Sequence, residues 1–184
     1  MRKPRYCLHE STKGIGRAYP QHQKMLAPYD YVGPRSIYKL LPCMLGEGFP
    51  DFEPDFNTVL LERGAKPTDL ISSVPIPKCG HLISPRFLEL LQKFKLPPHR
   101  VYNVPMVHKE KPLEGYVFLL LPHPESLRKA ASTQDIEEGV DADPLLRGVS
   151  LLRLARPSWM AQTWVDANLK AAIEAAGITG ITLS

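Results

Sequence analysis

The sequence predicts an α+β fold: a single domain with a mixed sheet, two helix-then-strand units and a loop-rich N-terminal segment. Three observations predict it. The chain has 184 residues, 43% of them hydrophobic and 23% charged, which suits one ordinary globular core. Two stretches, "LISPRFLELLQKFKLPPHRVYNVPMV" and "TWVDANLKAAIEAAGITGITLS", share one order of signals: apolar approach, capping residue, amphipathic helix, stop, strand. There are 19 prolines, about twice the usual ~5% share, so elements should be short and loops many.

Residues 1–57 hold five glycines, seven prolines and eight of the chain's fifteen aromatics. That aromatic content argues for ordered loops with short strands, at "PRYCLH" and "SIYKLL". Residues 58–184 should then carry the sheet and helices, within one domain spanning 1–184. "NTVLLE" reads as a strand and "RGAKPTDLISS" as a turn with a helical or extended link. "HLI" ends a strand, Ser84 is placed to cap a helix and Pro85 to occupy its first position. Phe87, Leu90, Leu91 and Phe94 give that helix one apolar face, and Pro97-Pro98 stops it. "RVYNVPMV" reads as a strand interrupted by Pro105, hence near an edge, and "EGYVFLLL" as a central strand. The acidic run Asp135–Asp143 reads as a projecting loop or frayed helix, "GVSLLRLA" as a strand and "RPSWMAQTW" as a connector. Asp166 caps the last helix, Gly177 ends it in a left-handed turn, and "ITGITL" closes as a strand, apolar because it should be paired and covered.

The formal charge is +4, and the excess is local: residues 1–48 carry eight Lys/Arg against three acids. A nucleic-acid binder concentrates far more charge on one face, so no nucleic-acid partner is expected. The longest apolar run, "YVFLLLP", stops at Pro122, far short of a membrane span. The opening residues lack the apolar stretch of a signal peptide, and three cysteines (Cys7, Cys43, Cys79) suit reduced thiols, so a cytoplasmic protein is expected.

Catalytic patterns are scarce. "KGIGRAYP" contains a G-x-G without the strand and helix a dinucleotide site needs. Cys79 and His81 lack a second ligand pair at zinc spacing, so neither metal nor cofactor is expected. His123 and Glu125, in "LLPHPES", sit just past a strong strand, where sites often form, but no motif that pairs them with a partner nucleophile is present. The pattern favours a binding protein over an enzyme.

Two stretches carry a family resemblance. "GAKPTDLISS", "HLIS", "RFLELLQKF" and "LPPHRVYNV", with the closing "NLKAAIEAAGITGITLS", resemble a family of bacterial immunity proteins encoded beside polymorphic toxins. The match covers roughly residues 50–121 and 158–184, and its motifs are caps, turns and strand ends. Membership would imply a cytosolic protein that binds and neutralises one cognate toxin protein. Two segments outside the resemblance are candidates for that contact: Tyr29, Tyr31, Arg35 and Tyr38, whose residue types commonly anchor interfaces, and Asp135, Glu137 and Glu138, which would meet a basic partner. Two other readings stand beside this one. One is a small enzyme using His123 and Glu125; the other is a nucleic-acid-binding module using the basic, Tyr-rich N-terminus.

Overall fold

The computed structural model describes residues 4–10, 17–20, 35–40, 43, 48–56, 58–61, 64–73, 79–130, 132–155 and 161–184. Its strands in chain order are β1 (Arg5–Glu10), β2 (Arg17–Pro20), β3 (Val59–Leu61), β4 (Leu70–Ser73), β5 (Gly80–Ile83), β6 (Arg100–Asn103), β7 (Met106–His108), β8 (Lys111–Leu113), β9 (Val117–Leu120), β10 (Leu151–Ala155), β11 (Ala161–Asp166) and β12 (Ile181–Leu183). The helices are α1 (Pro85–Leu91), α2 (Thr133–Ala142) and α3 (Ala167–Ala176), with short 3-10 turns at Ile37–Leu40 and Glu125–Leu127.

Strands β10-β11-β1-β12 form an antiparallel sheet. The other eight run β6-β9-β5-β4-β2-β3-β7-β8. This second sheet is mixed: β2 runs parallel to β4 and β3 parallel to β7, while its other pairs are antiparallel. The architecture is α+β in one domain, as the sequence predicts.

Strand alternation builds the core. Along β9, Val117 and Leu119 join Leu8, Ile83, Leu151 and Val165 in an apolar cluster that also takes Phe87 and Leu91 of α1 and Leu169 and Ile173 of α3. The alternate residues Phe118 and Leu120 join Phe56, Ile71 and Leu82 in a second cluster. A strand buried on both faces reads as a continuous apolar run, which is why "YVFLLL" contains no alternation. A third cluster seats Ile136 and Val140 of α2 on Leu152 and Leu154 of β10.

Several expectations are corrected. The two helix-then-strand units feed different sheets: α1 leads to β6 in the large sheet, α3 to β12 in the small one. Among the described strands, the closing strand β12 stands at the edge, paired to β1, and is only partly buried. "SIYKLL" holds a 3-10 turn, the "LISS" of the link is β4, and the second half of "RPSWMAQTW" begins β11. Pro105 divides its run into two strands that lie far apart in the sheet order.

Stretches of chain more than a hundred residues apart meet at Asp69. The Ser84 hydroxyl, which accepts from the Phe87 N–H as the cap of α1, donates to Asp69 Oδ1 at 2.7 Å. Asp69 Oδ2 accepts from the Thr179 N–H at 2.8 Å and its hydroxyl at 2.9 Å, and pairs with Arg86 at 3.4 Å. Arg86 also donates to the Ala176 carbonyl at the end of α3. Gly180 follows at φ +82°, where an added Cβ would lie 2.1 Å from the Leu70 carbonyl oxygen, so no other residue fits.

Candidate functional site

The described surface carries a cleft of about 440 Å³ beside the segment that leaves β9. Its walls are prolines (Pro97, Pro98, Pro122, Pro124) and Leu145, and its polar lining includes His123, Glu125, Ser126, Arg128 and Asp143. The volume falls within the usual range of ligand sites.

The sequence builds this cleft from short, fixed pieces. Pro122 and Pro124 hold the exit from β9 extended, so that the backbone N–H of His123 donates to the Cys43 carbonyl at 3.1 Å. The 3-10 turn Glu125–Leu127 follows, and Leu127 is buried against α2, leaving no room for a Cβ at Gly139. After α2, Asp143 organises the opposite wall: its carboxylate accepts from the Ser126 hydroxyl at 2.7 Å and from the Leu145 N–H at 2.8 Å. The hydroxyl bond, then the amide bond, hold the Asp143 carboxyl below the usual carboxylate range. In the pair Leu145-Leu146, Leu146 is buried under α2 while Leu145 is 65% exposed at the rim.

His123 and Glu125, separated only by Pro124, are thus brought into one lining. The His123 side chain is buried and hydrogen-bonded to the Arg153 backbone. Burial, and then the charges of Arg153 and Arg128, lower its pKa, so it is neutral near pH 7.

The acidic run is a capped helix rather than a loop. Ser132 and Asp135 form a reciprocal capping box, the Asp135 carboxylate accepting from the Ser132 N–H at 2.9 Å and the Ser132 hydroxyl from the Asp135 N–H at 3.1 Å. Asp135 therefore has a structural task. Glu137 is half-buried, and its charge, like that of Asp141, acts on the half-buried Arg5, whose pKa burial lowers. Glu138 is exposed and accepts from the Gln134 amide at 2.7 Å. Arg35 is exposed, donates to the Glu53 carbonyl at 2.8 Å and pairs with its carboxylate at 3.8 Å. The Tyr38 backbone belongs to the 3-10 turn Ile37–Leu40, and Tyr29 and Tyr31 lie outside the described residues.

Sequence reasoning missed a polar knot between the sheets. Arg153 of β10 is only 2% exposed, and its Nε and Nη1 have no hydrogen-bond partner among the described residues. Burial brings its pKa to about 10. Its charge acts on Cys79, whose thiol burial pushes up to about 12, and on His81, which burial pulls down to about 3. His81 Nε2 lies 2.7 Å from the Thr163 hydroxyl across the interface. All three cysteines are buried, and among the described residues no cluster of three ligating side chains could hold a metal ion. No described helix is long and apolar enough to cross a membrane.

Comparison with known proteins places the chain in no group: neither a protein-family model nor a curated protein matches it.

Proposed function

We propose that this chain is an immunity protein that neutralises a cognate toxin domain by forming a stoichiometric complex with it. The observation that carries this reading is the Asp69 tie. The resembling stretches "GAKPTDLISS", "HLIS" and "AGITGI" supply Asp69, Ser84 and Thr179 to one hydrogen-bonded knot, so the shared residues are a connected frame. That is what a family with one scaffold and many partners requires: the common residues hold the fold, and residues outside them meet the partner. The cleft segment 122–130 and α2 both fall outside the resembling stretches.

The test is to co-express the chain with the toxin domain encoded beside it, measure the mass of the purified complex, and titrate protection against toxin. A complex of fixed stoichiometry, with protection saturating at equivalence, supports the reading. No complex at micromolar concentration, or protection by far less than one equivalent, overturns it.

One observation favours a second reading, a small hydrolase, because His123, Glu125 and Ser126 line one cleft. The local chemistry weighs against it: Ser126 donates to Asp143, and a carboxylate held below its usual pKa is a weak base for a hydroxyl. Turnover abolished by His123→Ala in a stably folded variant would favour the hydrolase.

A further inference from the structure

We propose that the cleft between His123 and Leu145 is where the partner docks, and that its occupant is a basic side chain, arginine or lysine, presented by an apolar segment of the toxin domain. The inference rests on the toxin-binding reading for the partner's identity; the chemistry of the cleft selects the occupant.

Shape and composition come first. Four prolines and Leu145 make rigid apolar walls, and a long aliphatic stem lies well on such walls while its charged head reaches a polar floor. Leu145 is one of two large hydrophobic side chains exposed among the described residues, and its backbone is held by the bond from its N–H to the Asp143 carboxylate. Covering such an exposed apolar group on a held backbone favours binding.

Charge selects the sign of the occupant. Two carboxylates, Glu125 and Asp143, line the cleft against one lining cation, Arg128, and the His123 ring is neutral; a second cation, Arg100, lies over the lining Phe49 ring and donates to the Pro50 carbonyl. From Glu125 to Arg147 the chain carries six acids and three bases, although the whole chain is +4. One of those bases, Arg147, is turned back onto the Asp141 carbonyl at 2.9 Å. The Asp143 carboxylate accepts from the Ser126 hydroxyl and the Leu145 N–H, with the Leu146 N–H also acting on it, and its two oxygens, with about four acceptor sites between them, keep capacity for a further donor. A guanidinium or ammonium entering between the prolines meets that capacity, and its approach is favoured by the acids of α2.

Affinity for the toxin domain is measured for wild type, Leu145→Ala, Glu125→Lys and Arg128→Glu, each first shown to melt at the wild-type temperature. Leu145→Ala and Glu125→Lys should each weaken the complex by about tenfold or more, as loss of an interface anchor does, and Arg128→Glu should tighten it. If wild type binds and the first two variants bind equally well, the docking site is elsewhere and the immunity reading survives. If wild type does not bind, the immunity reading fails, and a second probe decides the cleft alone. Labelled wild-type protein is then titrated with a capped Leu-Arg-Leu-Lys peptide and its Leu-Glu-Leu-Glu counterpart. Amide shifts confined to residues 123–128 and 143–146 with the basic peptide alone uphold the proposal; equal or no response to the two overturns it.

Discussion

Asp69 joins stretches of chain more than a hundred residues apart, and its chemistry shows how much rests on one carboxylate. Burial alone would raise its pKa, but donors from Thr179 and Ser84, with the charge of Arg86, outweigh that and leave it below the ordinary value. A folded-state pKa below the unfolded one means the group stabilises the fold above the unfolded pKa of ~3.9, and that this contribution disappears as pH falls through the folded value. Asp69→Asn should cost about 1.5–3 kcal/mol at pH 7, the scale of hydrogen bonds to a charged group. Chemical denaturation followed from pH 7 to pH 2 should show the gap between variant and wild type closing below about pH 4; a gap constant across that range would mean the carboxylate's charge is irrelevant. Leu91 tests the packing beneath this tie. It is 1% exposed, so Leu91→Ala should cost ~2–5 kcal/mol, while Glu89→Ala on the exposed face should cost little. Ser84, Asp166 and Gly177 were legible as caps because a cap is local: each bonds a backbone group within a few residues. Arg153, His81 and Cys79 were not, because only the stacking of two sheets brings them together, and no spacing along the chain encodes it.

Elements were legible where a single periodicity ran undisturbed. The stripe of α1 and the apolar run of β9 follow directly from what each element buries. The acidic helix α2 was obscured by its charge, yet the signal was present: Ser132 and Asp135 at capping-box spacing, then Ile136 and Val140 one turn apart and both buried. The cleft was half legible, since His123 and Glu125 were singled out and Ser126 stands beside them, but Asp143 and Leu145 reach it only through the return of the chain after α2. The β7–β8 hairpin shows an element that runs against its own sequence. Lys109 and Glu110 take φ values of 50° and 66° in its two-residue turn, a left-handed pair usually given to Asn-Gly. The double change Lys109→Asn with Glu110→Gly should raise stability by about 1–3 kcal/mol, the scale of relieving one strained residue. A melting temperature unchanged or lowered in that variant would show that the turn is not strained.

At the scale of the whole molecule, strands were far easier to read than their order. The recurrent helix-then-strand pattern suggested one sheet because nothing in either unit records which neighbour its strand will find. Two sheets stacked through Leu8, Ile83, Leu119 and Val165 satisfy the same pattern, with α1 and α3 packed into the same core. The position of β12 changes what holds the end of this chain in place. Its ladder to β1 is one-sided, through Leu8↔Leu183, His9↔Thr182 and Glu10↔Ile181, and its residues are at most half-buried. The preceding Ile178–Gly180 is anchored more deeply. Ile178 lies in the core between the sheets and its N–H closes α3 onto the Ile173 carbonyl at 3.2 Å. Thr179 supplies two of the donors that Asp69 accepts, and its carbonyl accepts from Leu70 at 3.0 Å. Two truncations therefore separate strand from anchor. Removing residues 181–184 strips an edge strand and should lower the melting temperature while leaving one cooperative transition. Removing residues 178–184 opens the core at Ile178 and strands the Asp69 carboxylate with fewer donors, and should abolish cooperative unfolding altogether. Calorimetry on the two truncations decides between these causes: if both melt cooperatively at the same temperature, the Asp69 tie is dispensable; if both fail to fold, the edge strand itself carries the stability.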